Sequence, residues 1–194
     1  MSNPTTRNFS IELFRAGLSI ELQPLALHHT EALHAFKNRN RAFLQPFSPL
    51  QSEEHFSLDA QTRIVRQAIR EASLDEAYRF GIVHSASAEL IGQLNLTGIA
   101  RGAFQNALLG YSLDERYNGK GYMTEAVRLC LELAFGALGL HRVQAAVMPH
   151  NRGSIRVLQK NGFSEEGYAR QYLRINGAWE DHVLFARVND SWVD

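Results

Sequence analysis

The chain has 194 residues, 45% hydrophobic and 21% charged, enough for one domain with a sizeable core. Its 20 basic and 20 acidic residues cancel, which gives no support to nucleic-acid wrapping or to a polybasic membrane anchor. With Cys130 as the only cysteine, no long apolar run, and no apolar core in MSNPTTRNFS, no internal disulfide, bilayer span or secretory signal is expected, and a cytoplasmic protein is.

Apolar periods of two and of about 3.6 alternate along the chain, which predicts a single α/β domain with its core over about 19–188. Residues 19–24 read as an opening strand, and 28–37 as a helix with Leu33 and Phe36 at helical spacing. Phe43-Leu44-Gln45-Pro46-Phe47 is aromatic and broken by proline, so a turn or a one-turn helix is expected there. A second helix over 60–74 follows, then strands over 78–84, 90–97 and 108–113. Gly121 opens the most strongly patterned helix, with Met123, Val127, Cys130, Leu131, Ala134 and Leu138 on one stripe and Gly139 at its end. Val143, Ala145 and Val147 alternate along a strand over 143–148 that Pro149 stops. A helix over about 152–160 closes on Asn161-Gly162. Asn176-Gly177 is a type I′ turn signal between strands 168–175 and 178–188. The predicted order, β-α-α-α-β-β-β-α-β-α-β-β, implies a mixed sheet with helices on both faces.

Arg116-Tyr117-Asn118-Gly119-Lys120-Gly121 joins a strand ending at Leu113 to a helix beginning near Tyr122. Its glycines let the backbone turn tightly and point successive N–H groups into one concavity, ahead of the positive end of a helix dipole. Such a loop can hold a pyrophosphate, with Arg116 and Lys120 at the rim; the same spacing also suits a plain strand-to-helix turn. Neither GxxxxGK[ST] nor a GxGxxG after the first strand is present, which sets aside the P-loop and Rossmann sites. Gly110, inside the preceding strand, marks either a packing glycine or a place where a thin ligand approaches the backbone. His28-His29 are adjacent and neither HExxH nor paired CxxC occurs, so no metal is expected.

The spacing Arg116-x-x-Gly119-x-Gly121 resembles the acetyl-CoA loop of the GNAT acetyltransferase superfamily, and its continuation Tyr122-Met123-Thr124-Glu125-Ala126 resembles the RimJ/RimL branch. Asn151-Arg152-Gly153-Ser154 followed by Asn161-Gly162-Phe163 is similar to that branch, as are Glu166-Gly167-Tyr168, the 176–184 tail and Asn40–Pro49. The RimJ-like N-terminal acetyltransferases of ribosomal proteins look closest, over about 20–190. The resemblance implies a mixed, mostly antiparallel sheet splayed near its middle, with acetyl-CoA between strands 108–113 and 143–148. Pyrophosphate would lie on the backbone of Arg116, Asn118, Gly119, Lys120, Gly121 and Tyr122, and the pantetheine arm along Tyr111, Ser112 and Leu113. The amine substrate would be a protein N-terminus, on a ribosomal protein in the first place.

Acetyl transfer to an amine needs alignment, a polarised carbonyl and a stabilised leaving thiolate. A backbone N–H near Tyr111 is the candidate oxyanion donor. By resemblance, Ser154 would donate to the departing sulfur and Asn151 would bond the pantetheine amide; both residue types also suit the start of a helix. RimL-type enzymes carry a glutamate shortly after the E-G-x element, and the ungapped count puts Leu173 there. Asp181, Glu180, Glu21 or a water chain would have to serve as base. Phe43, Phe47 and Tyr172 are candidates for the acceptor groove, with core or lid packing as the alternative. Cys130, on a buried stripe, argues against a cysteine nucleophile. The alternatives are acetylation of a small amine such as an aminoglycoside, polyamine or amino acid, and a CoA-binding sensor without turnover. No coiled-coil or swap signature marks an oligomer.

Overall fold

Strict period-two burial is clearest in β6 (Arg142–Val147), where Val143, Ala145 and Val147 are buried and the residues between them half-buried. A computed structural model describes residues 13–192 of the protein; the segment MSNPTTRNFS, read above against a secretory signal, lies outside the described residues. The strands are β1 (Arg15–Ala16), β2 (Ile20–Pro24), β3 (Tyr78–His84), β4 (Leu90–Ala100), β5 (Asn106–Leu113), β6, β7 (Ser164–Ile175) and β8 (Ala178–Val188). The helices are α1 (Thr30–Arg39), α2 (Arg41–Leu44), α3 (Leu58–Ser73), α4 (Tyr122–Glu132) and α5 (Arg152–Lys160).

The strands form one eight-stranded sheet in the order β1-β2-β3-β4-β5-β6-β8-β7. Neighbours run antiparallel except β5 and β6, which are parallel and pair only at Asn106↔Arg142, Ala107↔Val143 and Leu108↔Gln144. Beyond those pairs β5 stays with β4 up to Leu113, while β6 stays with β8 up to Val147, so the sheet splays. On one face the apolar stripe of α4 (Met123, Ala126, Val127, Cys130) packs with Leu94, Leu96, Leu109 and Val143. On the other, Leu33 and Phe36 of α1 and Val65 and Ala68 of α3 pack with Leu25 and Leu90. Burying a side chain the size of Leu33 or Phe36 contributes roughly 1.5–3 kcal/mol before chain entropy is charged against it.

Several boundaries differ from the sequence reading, each for a local reason. The first helix starts two residues late, because residues 27–29 form a 3₁₀ turn in which the Ala26 N–H donates to His29 Nδ1 at 3.0 Å. The second helix starts at Leu58 rather than 60, since the Ser57 hydroxyl accepts from the Ala60 N–H at 3.1 Å and caps it. β4 extends to Ala100, and β5 begins at Asn106. The last hairpin begins at Ser164, four residues early: β7 is an edge strand exposed along most of its length, so no alternation announces it. α4 does not run straight to Gly139 but ends in a π turn, Leu133–Ala137, where the Leu138 N–H reaches Leu133 O at 2.9 Å. The hairpin turn is as expected: Ile175 pairs with Ala178 and both Asn176 (φ 46) and Gly177 (φ 87) are left-handed.

Candidate active site

The loop after β5 is shaped by a residue that periodicity does not single out. Asp114 has a side chain only 1% exposed, and its carboxylate accepts from Arg39 Nε (2.7 Å), Asn40 Nδ2 (3.1 Å), the Arg116 N–H (3.0 Å) and Arg116 Nε (3.1 Å). Burial opposes its charge, but the bonds from Arg116, Asn40 and Arg39 prevail and hold the carboxyl well below the usual carboxylate range. Asn40 also accepts from the Glu115 N–H at 3.0 Å, so the loop is tied to the end of α1. Glu89 takes up the outer side through Arg116, Tyr117 and Arg39. Arg116 thus faces two carboxylates rather than the rim of the cleft, and Lys120 is exposed with Nζ 5.3 Å from the Tyr117 ring centroid.

Past this anchor the backbone opens. Gly119 (φ 76) and Gly121 (φ 88) are left-handed, which L side chains resist, and a Cβ at either would meet no protein atom within 4 Å. Gly121 precedes α4 without any side-chain cap, so the first N–H groups of the helix are left for a ligand. The Asp114 N–H donates to Ile91 O at 2.8 Å, toward β4. Alternation therefore turns the N–H groups of Tyr111 and Leu113 the other way, into the splay where β6 has departed.

These features border a cleft of about 440 Å³ between β5, α2, the start of α4 and α5. Phe43, Phe47, Tyr111, Ser112, Leu113, Asn118, Gly119, Gly121, Tyr122, Asn151 and Ser154 of the sequence candidates line it together. Tyr111 Oη and Ser154 Oγ are 2.7 Å apart, and Tyr111 Oη also donates to Ser154 O at 3.2 Å. Burial raises the Tyr111 phenol to about 12, with the Ser154 bond pulling the other way, so it stays protonated and able to donate. Asn151 Oδ1 accepts from the Ser154 N–H at 3.1 Å, capping α5 while the residue lines the cleft.

Asp181 and Tyr172 stand elsewhere. Asp181 accepts from Tyr168 Oη (2.8 Å) and the Gln171 N–H (2.7 Å), pinning a bulge in β7 where Gln171 is left-handed at φ 48. The Gln171 bond and then the Tyr168 bond lower its pKa, which weakens it as a base. It lines a separate depression with Glu180 and His150, and His150 lies 6.1 Å, ring to ring, from Phe47 at the edge of the cleft. Tyr172 is half-exposed beside His182, ring centroids 5.6 Å apart. Glu21 accepts from Gln23 on β2, away from the cleft. Leu173 pairs with Glu180 just past the same bulge, and is not among the lining residues. Cys130 is fully buried and its thiol is pushed up by burial.

Sequence reasoning missed Arg156, Val157 and Lys160, which also line the cleft. Their signal was available: with Gly153 they follow the i, i+3, i+4, i+7 spacing of one helix face. Arg156 and Lys160 are cationic and no Asp or Glu among the described residues lines the cleft, so their lining charge is positive only. Its size, uncapped helix and cations fit a long phosphorylated ligand. Among the described residues, no group of three or more His, Cys, Asp or Glu could hold a metal ion, and no helix is long and apolar enough to cross a membrane.

Comparison with known proteins agrees with this geometry. The chain is 43% identical to "Probable N-acetyltransferase YjcK" of Bacillus subtilis (strain 168), over 89% of this chain and 96% of that one. The crystal structure of ribosomal-protein-S5-alanine acetyltransferase from Vibrio fischeri superposes with a TM-score of 0.89 at 33% identity, covering 93% of this chain and 99% of that one. Mycobacterium smegmatis RimJ, solved in complex with CoA-disulfide, superposes with a TM-score of 0.84 at 29% identity, covering 90% and 84%. The expected fold and the RimJ/RimL likeness are thereby met. Residues 19–164 match the family described as acetyltransferase (GNAT) domain, and the chain belongs to that family of acetyl-CoA-dependent N-acetyltransferases.

Proposed function

We propose that the enzyme acetylates the N-terminal α-amine of a protein, a ribosomal protein being the first candidate, by direct transfer in a ternary complex. The observation that carries this reading is a cleft whose lining, among the described residues, has a hydroxyl pair and two cations but no carboxylate to take a proton. An α-amine of pKa 7.7–8.0 is already neutral in about one molecule in seven at pH 7, whereas a lysine amine near 10.4 is neutral in about one in 2,500. A site without a strong base therefore suits the α-amine. The Vibrio fischeri relative, named for an alanine of ribosomal protein S5, supports the choice of acceptor. A ribosomal acceptor would set the reaction in the cytoplasm.

In this reading the N–H groups of Tyr111 and Leu113, on the open edge of β5, orient the donor, and that of Tyr111 polarises the thioester carbonyl. As the C–N bond forms and the C–S bond breaks, Ser154 donates to the sulfur and Tyr111 steadies Ser154. The proton shed by the amine passes to solvent. Cys130 is too deeply buried to carry an acetyl group, which favours the direct route.

The test is thiol release from acetyl-CoA with peptides bearing a free α-amine and with the same peptides blocked there. Release only with the free amine supports the proposal. Equal release with blocked, lysine-containing peptides would overturn it in favour of side-chain acetylation. No release despite CoA binding would move small amines or a sensor ahead.

A further inference from the structure

A second cavity, of about 410 Å³, lies on the other face of the sheet, under α1 and α3. Three cationic side chains line it, with His55, Asn95 and Gln93 between them. Two of the three are committed: Arg63 pairs with Glu54 at 2.6 Å and Arg79 with Glu71 at 2.8 Å. Lys37 has neither a hydrogen bond nor an ion pair among the described residues. Burial first, and then Arg79, lower its pKa to about 8, so it is mostly charged at pH 7, with the Phe36 ring 5.9 Å from Nζ but no carboxylate paired with it among the described residues. A half-buried cation without a carboxylate partner, beside two further cationic side chains, favours a ligand that is anionic at that point.

The sheet register shows how such a ligand would arrive. Arg79 pairs with Asn95 across β3 and β4, and Asn95 pairs with Gly110 across β4 and β5. Paired residues share a face, so Arg79, Asn95 and Gly110 form one row that runs from the cavity to the splayed edge of β5. Gly110 leaves that row open, since a Cβ there would meet nothing within 4 Å. Two strand spacings make the row about 10 Å long, which an extended peptide covers in about three residues.

Resting on the reading of an α-amine acceptor, we propose that this cavity receives an acidic side chain carried near the third residue of the acceptor peptide. The peptide passes over Gly110 and follows the row toward Asn95 and Arg79. Its carboxylate pairs with Lys37.

Acetylation kinetics on three otherwise identical peptides test this: Glu at position three, Gln at position three, and Glu moved to position eight. The wild-type enzyme should show a KM about tenfold lower for the first than for the other two. Lys37→Met, which keeps the length of the side chain and removes its charge, should reduce that preference to within twofold. A fourth peptide, with Lys at position three, should show a raised KM for the wild type and lose that penalty in Lys37→Met. Transfer to all peptides with equal KM overturns the inference and leaves the α-amine reading intact, as does a preference that survives Lys37→Met. No transfer to any of them overturns the α-amine reading and this inference with it.

Discussion

Replacing Asp114 by Asn keeps the volume of a side chain that is 1% exposed, but removes the charge to which Arg39, Asn40 and Arg116 are tied. One oxygen becomes an NH₂ that faces donors. A hydrogen bond to a buried charged group is worth about 1.5–3 kcal/mol, and Arg39 and Arg116 are partly exposed, so screening discounts their share. A net loss of about 3 kcal/mol is expected. At about 2–4 °C per kcal/mol for a chain of this size, Tm at pH 7 falls by about 6–12 °C. The pH dependence has a definite sign. The folded pKa of Asp114 lies below the unfolded value of about 3.9, so its contribution is full above about pH 5 and is lost as pH falls through 4 toward the folded value. The gap in Tm between wild type and variant, read by circular dichroism, should therefore narrow as pH drops below about 4. Calorimetry should also show acetyl-CoA affinity reduced about tenfold or more, because the loop N–H groups lose their anchor. Equal Tm values at pH 7, or a gap that ignores pH, would refute this account of the loop.

Tyr111→Phe and Ser154→Ala should each lower kcat by about 10- to 100-fold with a smaller change in CoA binding, and the double variant should be little worse than the poorer single one; additive losses in steady-state kinetics would show that the two hydroxyls act separately. Gly119→Ala forces a left-handed φ of 76 on alanine at about 1–2 kcal/mol, so Tm should fall by about 2–8 °C and the KM for acetyl-CoA should rise; a KM that does not move would remove this turn from the binding site. Burial, and then neighbouring His28, lower buried His29 from 6.5 to about 4. Protonation therefore favours the unfolded chain, so stability should decline by about 3 kcal/mol as pH falls from about 6.5 to 4. Urea unfolding of His29→Gln across that range should show a shallower decline, and an unchanged slope would falsify the assignment.

Much of the architecture was legible because it depends on short-range rules. The α4 stripe follows a helical period, β6 alternates strictly, and Asn176-Gly177 can close a hairpin in few other ways. The wall of the cleft was legible where glycines and caps mark it, at Gly119, Gly121 and Asn151. What escaped depends on tertiary pairing. Asp114 reads as a polar residue after a strand, and only the arrival of Arg39 and Asn40 from α1 makes it an anchor. The bulge that Asp181 holds at Gln171 inserts residues into β7, so a linear count along that strand does not give the face on which a side chain emerges. Lys37 looks like any lysine on an amphipathic helix until β3 and β4 close beneath it.

The shortness of the β5–β6 ladder has a consequence beyond the cleft it opens. Three residue pairs are the whole of the strand pairing between the β1–β5 half of the sheet and the β6–β8–β7 half. A ligand arm lying along the free edge of β5 would act as a missing rung, bridging two laminae that otherwise lean on helix packing. Anything that binds only the folded form adds to its stability by mass action, so survival of the protein against heat or protease should track the abundance of its own acyl donor. An enzyme so built would be most durable when it has work to do, and most readily cleared when the donor is scarce.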